Sequence, residues 1–201
     1  TDVFRPQPRS EAVLEELGLD DAEPVIGAVG GFAPHKGQDV LLRAFALLLR
    51  HKPKARLVLV GGGKHLLQAQ DLSQRLGISD HVVFTGPRED VVQILSALDF
   101  FVQPSRQETD GIAVKEAMAA GKAVVSTATM GPAGYLRQGE TGLLTPVGDW
   151  VRLAEALLQL ADDPALRERL GAAARRQAEE EFSLPAYRQR LLELYSLTTK
   201  G

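Results

Sequence analysis

The chain has 201 residues, a formal net charge of −3, 44% hydrophobic residues and no cysteine. That length and apolar content suit one folded domain with a full core. The missing cysteines exclude disulfides, thiolate nucleophiles and Cys-based zinc or iron–sulfur sites, in keeping with a reducing compartment. The balanced charge argues against a nucleic-acid partner, and the longest apolar run, Ala44–Leu49, is too short for a transmembrane segment.

The opening Thr1–Pro6 is neither a signal peptide nor a tag and has no initiator Met, so we read residues 1–8 as linker from the interior of a longer protein. A short helix is expected around Glu11–Leu17. Pro24–Gly30 is then a continuous apolar run ending in glycines, and Asp39–His51 places Leu41, Phe45, Leu48 and Leu49 at helical spacing. The alternation continues: Arg56–Val60 runs into Gly61-Gly62-Gly63, and Leu66–Leu76 is helical up to Gly77. Val82–Phe84 leads to Gly86-Pro87, Val91–Leu98 is a short helix, and Phe100–Val102 ends at Pro104-Ser105. A helix from Ile112 to Ala120 closes at Gly121, and Ala123–Val125 and Gly142–Leu144 are the last strands. Uninterrupted strands alternating with helices predict an α/β fold, a doubly wound parallel sheet covered on both faces. Ligands of such sheets lie beyond the carboxyl ends of the strands, here the turns at Gly30, Gly61, Gly86 and Ser105. The last fifty or so residues read as helices: Ala154, Leu157, Leu158 and Ala161 share a face, Asp163-Pro164 opens a helix to about Glu181, and Ser183 opens a final one with Tyr187, Leu191, Leu194 and Tyr195 on a stripe.

The segment richest in chemistry is Pro104–Gly121. Glu108 sits at the end of a strand, and Glu116 follows after seven intervening residues on the next helix. Gly111 lies where that helix begins, so its free amides and positive dipole end face the same crevice as the carboxylates. A diphosphate would be received there, with the carboxylates left to accept sugar hydroxyls.

This spacing resembles the E-x7-E motif of the retaining GT-B glycosyltransferases of family 4, the glycogen-synthase and sucrose-synthase-like group. Lys36-Gly37, Gly61-Gly62-Gly63, Phe84-Thr85-Gly86, Pro104-Ser105, Glu116–Gly121 and Gly139–Leu144 are similar to the family's elements in the family's order. The resemblance implies a Rossmann-like domain over residues 9–182, the C-terminal, nucleotide-sugar half of a GT-B fold, with a C-terminal helix over 183–201. It also implies that Glu116 holds the nucleotide ribose, Glu108 the transferred sugar, and Gly111, Ile112 and Ala113 the phosphate or sugar oxygens through their amides. Lys36 would neutralise the departing diphosphate, with Gly30 and Gly31 beside it, and Gly86 and Arg88 would lie where the base lodges. The donor would be a UDP-, GDP- or ADP-sugar, with no cofactor and no metal. The partner would be the N-terminal acceptor domain of a parent working in the cytoplasm, with room for peripheral association at the inner face of a membrane. The product would belong to polysaccharide, lipopolysaccharide or glycolipid synthesis, and the isolated domain would be inactive without its other half.

Two departures stand out. Gly31 occupies the place of the arginine in the family's G-R-x4-K-G, and Met130 and Gly134 replace the first of a paired glycine and a following glutamate. They leave room for a non-catalytic nucleotide-sugar-binding module. An NAD-binding oxidoreductase domain would share the architecture, but Gly27–Gly31 lacks G-x-G-x-x-G and no acidic residue closes the second strand. Gly61-Gly62-Gly63-Lys64 lacks the spacing of a phosphate loop and reads as a turn. Glu108-Thr109-Asp110 has no histidine near it at ligand spacing, and the scattered His35, His51, His65 and His81 read as surface residues.

Overall fold

The uninterrupted apolar runs are strands with both faces covered. In β2 (Arg56–Val60), Leu57 and Leu59 enter one core and Val58 and Val60 the other, because successive side chains leave opposite faces of a strand. β1 (Val25–Val29) and β4 (Phe100–Gln103) divide in the same way, with Ile26, Ala28, Phe100 and Val102 on the first side and Val25 and Phe101 on the second. β3 (Val82–Gly86), β5 (Ala123–Thr127) and β6 (Leu143–Thr145) complete the sheet. In this computed structural model, which describes residues 1–198, the six strands run parallel in the order β3-β2-β1-β4-β5-β6. This is the doubly wound architecture expected from the alternation.

Helices seal both faces. The first core is closed by α2 (Gln38–Leu49), α3 (Leu66–Arg75) and α7 (Trp150–Asp162), through Leu41, Leu42, Phe45, Leu48, Leu72, Leu153 and Leu157. The second is closed by α1 (Glu11–Leu17), α4 (Val91–Ala97), α5 (Ile112–Ala119) and α8 (Pro164–Glu181). Asp149 and Asp163 cap α7 and α8 by accepting from Val151 and Leu166 amides at 3.1 and 2.9 Å, and Pro164 takes the first turn, where its missing N–H costs nothing. Phe4 packs on the second core, and the Arg175 guanidinium donates to the carbonyls of Phe4 and Ala119 at 2.9 and 2.6 Å, so the opening residues lie against α8 and the end of α5.

The expected final helix is α9 (Leu184–Thr198), opened by Ser183, whose hydroxyl accepts from the Ala186 amide at 3.2 Å. Residues 199–201 of that expectation, and the Leu194 side chain, lie outside the described residues. Tyr187 and Tyr195 are exposed and Leu191 is partly buried. One element had no sequence signal: α6 (Met130–Tyr135) holds two glycines and a proline within six residues, poor helix formers on propensity alone.

The strand order positions the site. The chain lays β1, β2 and β3 outward in one direction, then returns to pair β4 with β1, Ile26 opposite Phe100 and Gly27 opposite Phe101. Loops after β1 and β4 diverge to opposite faces from this point, which leaves a crevice at the carboxyl ends.

Candidate functional site

Lys36 ends a short 3-10 turn, Pro34–Lys36, in the connection after β1, and Glu108 lies in the connection between β4 and α5. The structure brings them together: Lys36 Nζ donates to Glu108 Oε2 at 2.7 Å. Glu108 Oε2 also accepts from Gln103 Nε2 at 3.2 Å, while Oε1 faces the Gly111 amide at 3.3 Å. Burial pushes the Glu108 carboxyl up, but the Lys36 ammonium and the amides of Gly111 and Asp110 outweigh it and hold the group below its ordinary value.

Gly111 is the N-cap of α5 in the left-handed conformation, φ 74°, and a Cβ there would stand 2.6 Å from the Tyr135 hydroxyl. Only glycine meets both conditions. Tyr135, at the end of α6, donates to the Gly111 carbonyl at 3.3 Å, and burial raises its phenol far above the ordinary value. The Gly131 amide of α6 donates to the Glu108 carbonyl at 2.9 Å. These contacts fix the loop, so the amides of Ile112 and Ala113 open the helix with no carbonyl behind them in α5 to bind. Ile112 is exposed at this mouth.

Glu116 stands on the same helix, half-buried, with no side-chain partner among the described residues. Burial raises its carboxyl above the ordinary value, and nothing opposes that shift. The two carboxylates of the motif are therefore differently partnered. Glu108 is paired with Lys36, while Glu116 has no side-chain partner among the described residues.

Gly30 closes β1, its amide bonded to the Val60 carbonyl at 2.9 Å. A Cβ on Gly31 would meet only the Gly62 carbonyl oxygen, at 3.5 Å, and its φ is not positive, so backbone does not dictate the glycine. Gly86 ends β3 with φ 73°. The Arg88 guanidinium is turned to Asp90 at 2.7 Å and to Glu16 of α1 at 3.0 Å, ion pairs that raise it further above its already high value.

Each carboxylate of the Glu108-Thr109-Asp110 stretch has its own cation, since Asp110 is paired with Lys115. Lys115 also lies 5.3 Å from the Tyr135 ring centre and 5.0 Å from that of Phe182. Among the described residues no three His, Cys, Asp or Glu side chains gather as around a metal ion. Three participants were not foreseen: Gln103 continues an apolar strand, Tyr135 sits in the unsignalled α6, and Asp39 meets Arg106 across 67 positions at 2.7 Å. Only the polar Gln103 and Ser105 at a strand end offered a signal.

Comparison with known proteins gives the family and the fold. The model of the family described as Glycosyl transferases group 1 matches residues 10–177. The GDP-mannose-dependent alpha-(1-6)-phosphatidylinositol monomannoside mannosyltransferase of Mycolicibacterium smegmatis is 34% identical over an alignment of 206 positions that covers 98% of this chain and 54% of that protein. The crystal structure of Anabaena Alr3699/HepE in complex with UDP and glucose superposes with a TM-score of 0.89 at 26% identity, covering 97% of this chain and 54% of that one. Sucrose-phosphate synthase from Thermosynechococcus elongatus gives 0.86 at 30% identity, covering 99% and 50%. The chain spans about half the length of the curated relatives it matches. Among the described residues no helix is long and apolar enough to cross a membrane. The fold, the order of its motifs and the family match all lead to one assignment: the chain belongs to the group 1 glycosyltransferases, with the Rossmann-like domain of their GT-B fold.

Proposed function

We propose that this chain is the donor-binding half of a retaining glycosyltransferase, which takes a nucleoside-diphosphate sugar and passes the sugar to an acceptor held by an N-terminal domain of the parent. The observation that carries this reading is the different pairing of the two carboxylates around the start of one helix, Glu108 held by Lys36 and Glu116 without a side-chain partner among the described residues. Glu116, half-buried and unpartnered, suits ribose hydroxyls, which would supply the hydrogen bonds its charged form lacks. Glu108 suits a hydroxyl of the transferred sugar, and Lys36 beside it suits the leaving diphosphate, with the amides of Ile112 and Ala113 taking phosphate oxygens. Charge neutralisation by an ammonium and a helix N-terminus needs no divalent metal, and we propose none.

Support for a nucleotide sugar also comes from the relatives. The Anabaena protein is described with UDP and glucose and the mycobacterial one as GDP-mannose-dependent. They differ in base, so the shared nucleoside diphosphate is the ligand proposed here. The mycobacterial protein's acceptor is a phosphatidylinositol glycolipid by its name. A similar lipid-linked acceptor would place the parent at a membrane surface, which we propose is the cytoplasmic, inner face.

The test is calorimetric titration of the chain with UDP, GDP and ADP, with and without a chelator. One diphosphate should bind, more tightly than its monophosphate and without regard to chelation. Binding of none of the three would overturn the reading, and binding restored only by magnesium or manganese would overturn its metal-free part. Retention is tested on the full-length parent, by NMR of the anomeric centre in the first-formed product.

A further inference from the structure

Lys36 and Glu108 are the central pair of the site, yet neither sits on a secondary element of any length. Lys36 ends a three-residue turn with no buried residue, and Glu108 belongs to an irregular loop. Side chains on such segments hold a fixed separation only if the segments are tied to each other. We propose that Asp39 and Arg106 are positioning residues of the donor site, a clasp that holds the Lys36 turn against the Glu108 loop.

The clasp is built from both directions. The Arg106 guanidinium forms a forked pair with Asp39, Nη1 to Oδ1 and Nη2 to Oδ2, both at 2.7 Å. Its Nη1 also donates to the carbonyl of Pro34, the first residue of the turn, at 3.0 Å. The backbone repeats the tie, with the amides of Arg106 and Gln107 donating to the His35 carbonyl at 2.7 and 3.2 Å. Asp39 supplies the rigid end, because it lies in the first turn of α2, whose next residues Val40, Leu41 and Leu42 are buried in the core. Arg106 thus grips the start of the turn and the helix that follows it, and Lys36 lies between the two points. Glu108 is two residues beyond Arg106 on the loop so held.

The arginine fork is specific to this task. A lysine could meet Asp39 at one oxygen but could not span the carboxylate and the Pro34 carbonyl in one plane. The pairing lowers the Asp39 carboxyl and raises the Arg106 guanidinium, the hydrogen bond between them being the largest cause for each. Both side chains are more than a third exposed, so the pair contributes little to global stability. Its consequence is local, in where Lys36 Nζ stands relative to Glu108.

This inference rests on the proposed reading of Lys36 and Glu108 as donor-facing, and one of its two tests is independent of that reading. The groups acting on the Glu108 carboxyl are Lys36, Gln103 and the amides of Gly111 and Asp110, with Asp110 and Tyr135 nearby. Lys36 and the amides pull it down while burial pushes it up. NMR titration of the Glu108 carboxyl in wild type, Arg106→Gln, Asp39→Asn and Arg106→Lys follows the balance without any ligand. The carboxyl should titrate higher in Arg106→Gln and Asp39→Asn, with Arg106→Lys in between. Affinity for the nucleoside diphosphate that the wild type binds should fall about tenfold in the first two variants, the size of one lost charged hydrogen bond. Arg106→Lys should recover part of it, and the unfolding midpoint should hardly move. Unchanged Glu108 titration in both Arg106→Gln and Asp39→Asn would overturn the clasp. Wild type that binds no nucleoside diphosphate would overturn the donor-site reading, and the carboxyl titration would still decide the clasp.

Discussion

The two ends of the sheet treat charge differently. At the amino ends, Asp99 accepts from the Val25 amide at 2.6 Å and from Arg9 at 3.0 Å. Lys122 beside it donates to the carbonyls of Leu98 and Ser96 at 2.7 and 3.1 Å, and burial lowers its ammonium to about 8. Asp99 and Lys122 are both matched by protein and tie a strand to its neighbour. At the carboxyl ends Glu116 is half-buried without a side-chain partner among the described residues, and α5 opens with no side-chain cap. Matched charge is structural, whereas a half-buried carboxylate left unmatched is the feature on which the proposed donor site rests.

The contrast is broken most strongly at Glu116. Replacing it with alanine should weaken nucleoside-diphosphate binding by about 2–4 kcal/mol, since charged hydrogen bonds are worth ~1.5–3 each before overlap. Stability should not fall, and calorimetric affinity set beside a denaturation curve checks both halves.

The site can be sharpened as well as broken. A Cβ at Gly31 would meet only the Gly62 carbonyl oxygen, at contact distance, and the Arg106 guanidinium is held by Asp39. Gly31→Arg should tighten diphosphate binding by about 1.5–3 kcal/mol, the value of a hydrogen bond between charged groups. Monophosphate affinity should rise less, and paired titrations of the two ligands measure the difference.

The opposite end answers in stability alone. Asp99→Ala strands the buried Val25 amide and should cost about 1–3 kcal/mol, read from urea unfolding, with nucleotide affinity unchanged.

The smallest effect is Glu116→Gln. A carboxyl raised by burial costs stability where it is ionised, so the wild type regains stability as pH falls from the raised value to the ordinary one. Glu108, held low, works the other way: its contribution is present above the ordinary carboxyl value and is lost as pH falls through the lowered one. At neutral pH the glutamine variant should therefore be slightly more stable, by less than about 1 kcal/mol after solvent screening. It should also lose the Glu116 step in a stability–pH profile.

Much of this was legible before folding was considered. The strands announce themselves because both faces are buried, which turns alternation into continuous apolar runs, and their glycine ends mark the crevice. Glu108, Gly111 and Glu116 are close in sequence, so their meeting at a helix start could be read from spacing. The rest required the fold. Arg106 finds Asp39 across 67 positions and Arg88 finds Glu16 across 72. Exposed charges leave no hydrophobic pattern by which such partners could be matched. α6 was hidden for another reason: it is made by contact, through the Gly131 amide on Glu108 and Tyr135 on Gly111, against its own composition.

The central claim is that Glu116 is the unmatched charge completed by the donor. NMR titration of its carboxyl, with and without a saturating nucleoside diphosphate, tests it most directly. The Glu116 carboxyl should titrate above the ordinary glutamate value in the free protein and drop on binding. A Glu116 carboxyl that titrates the same with and without bound nucleotide would contradict it.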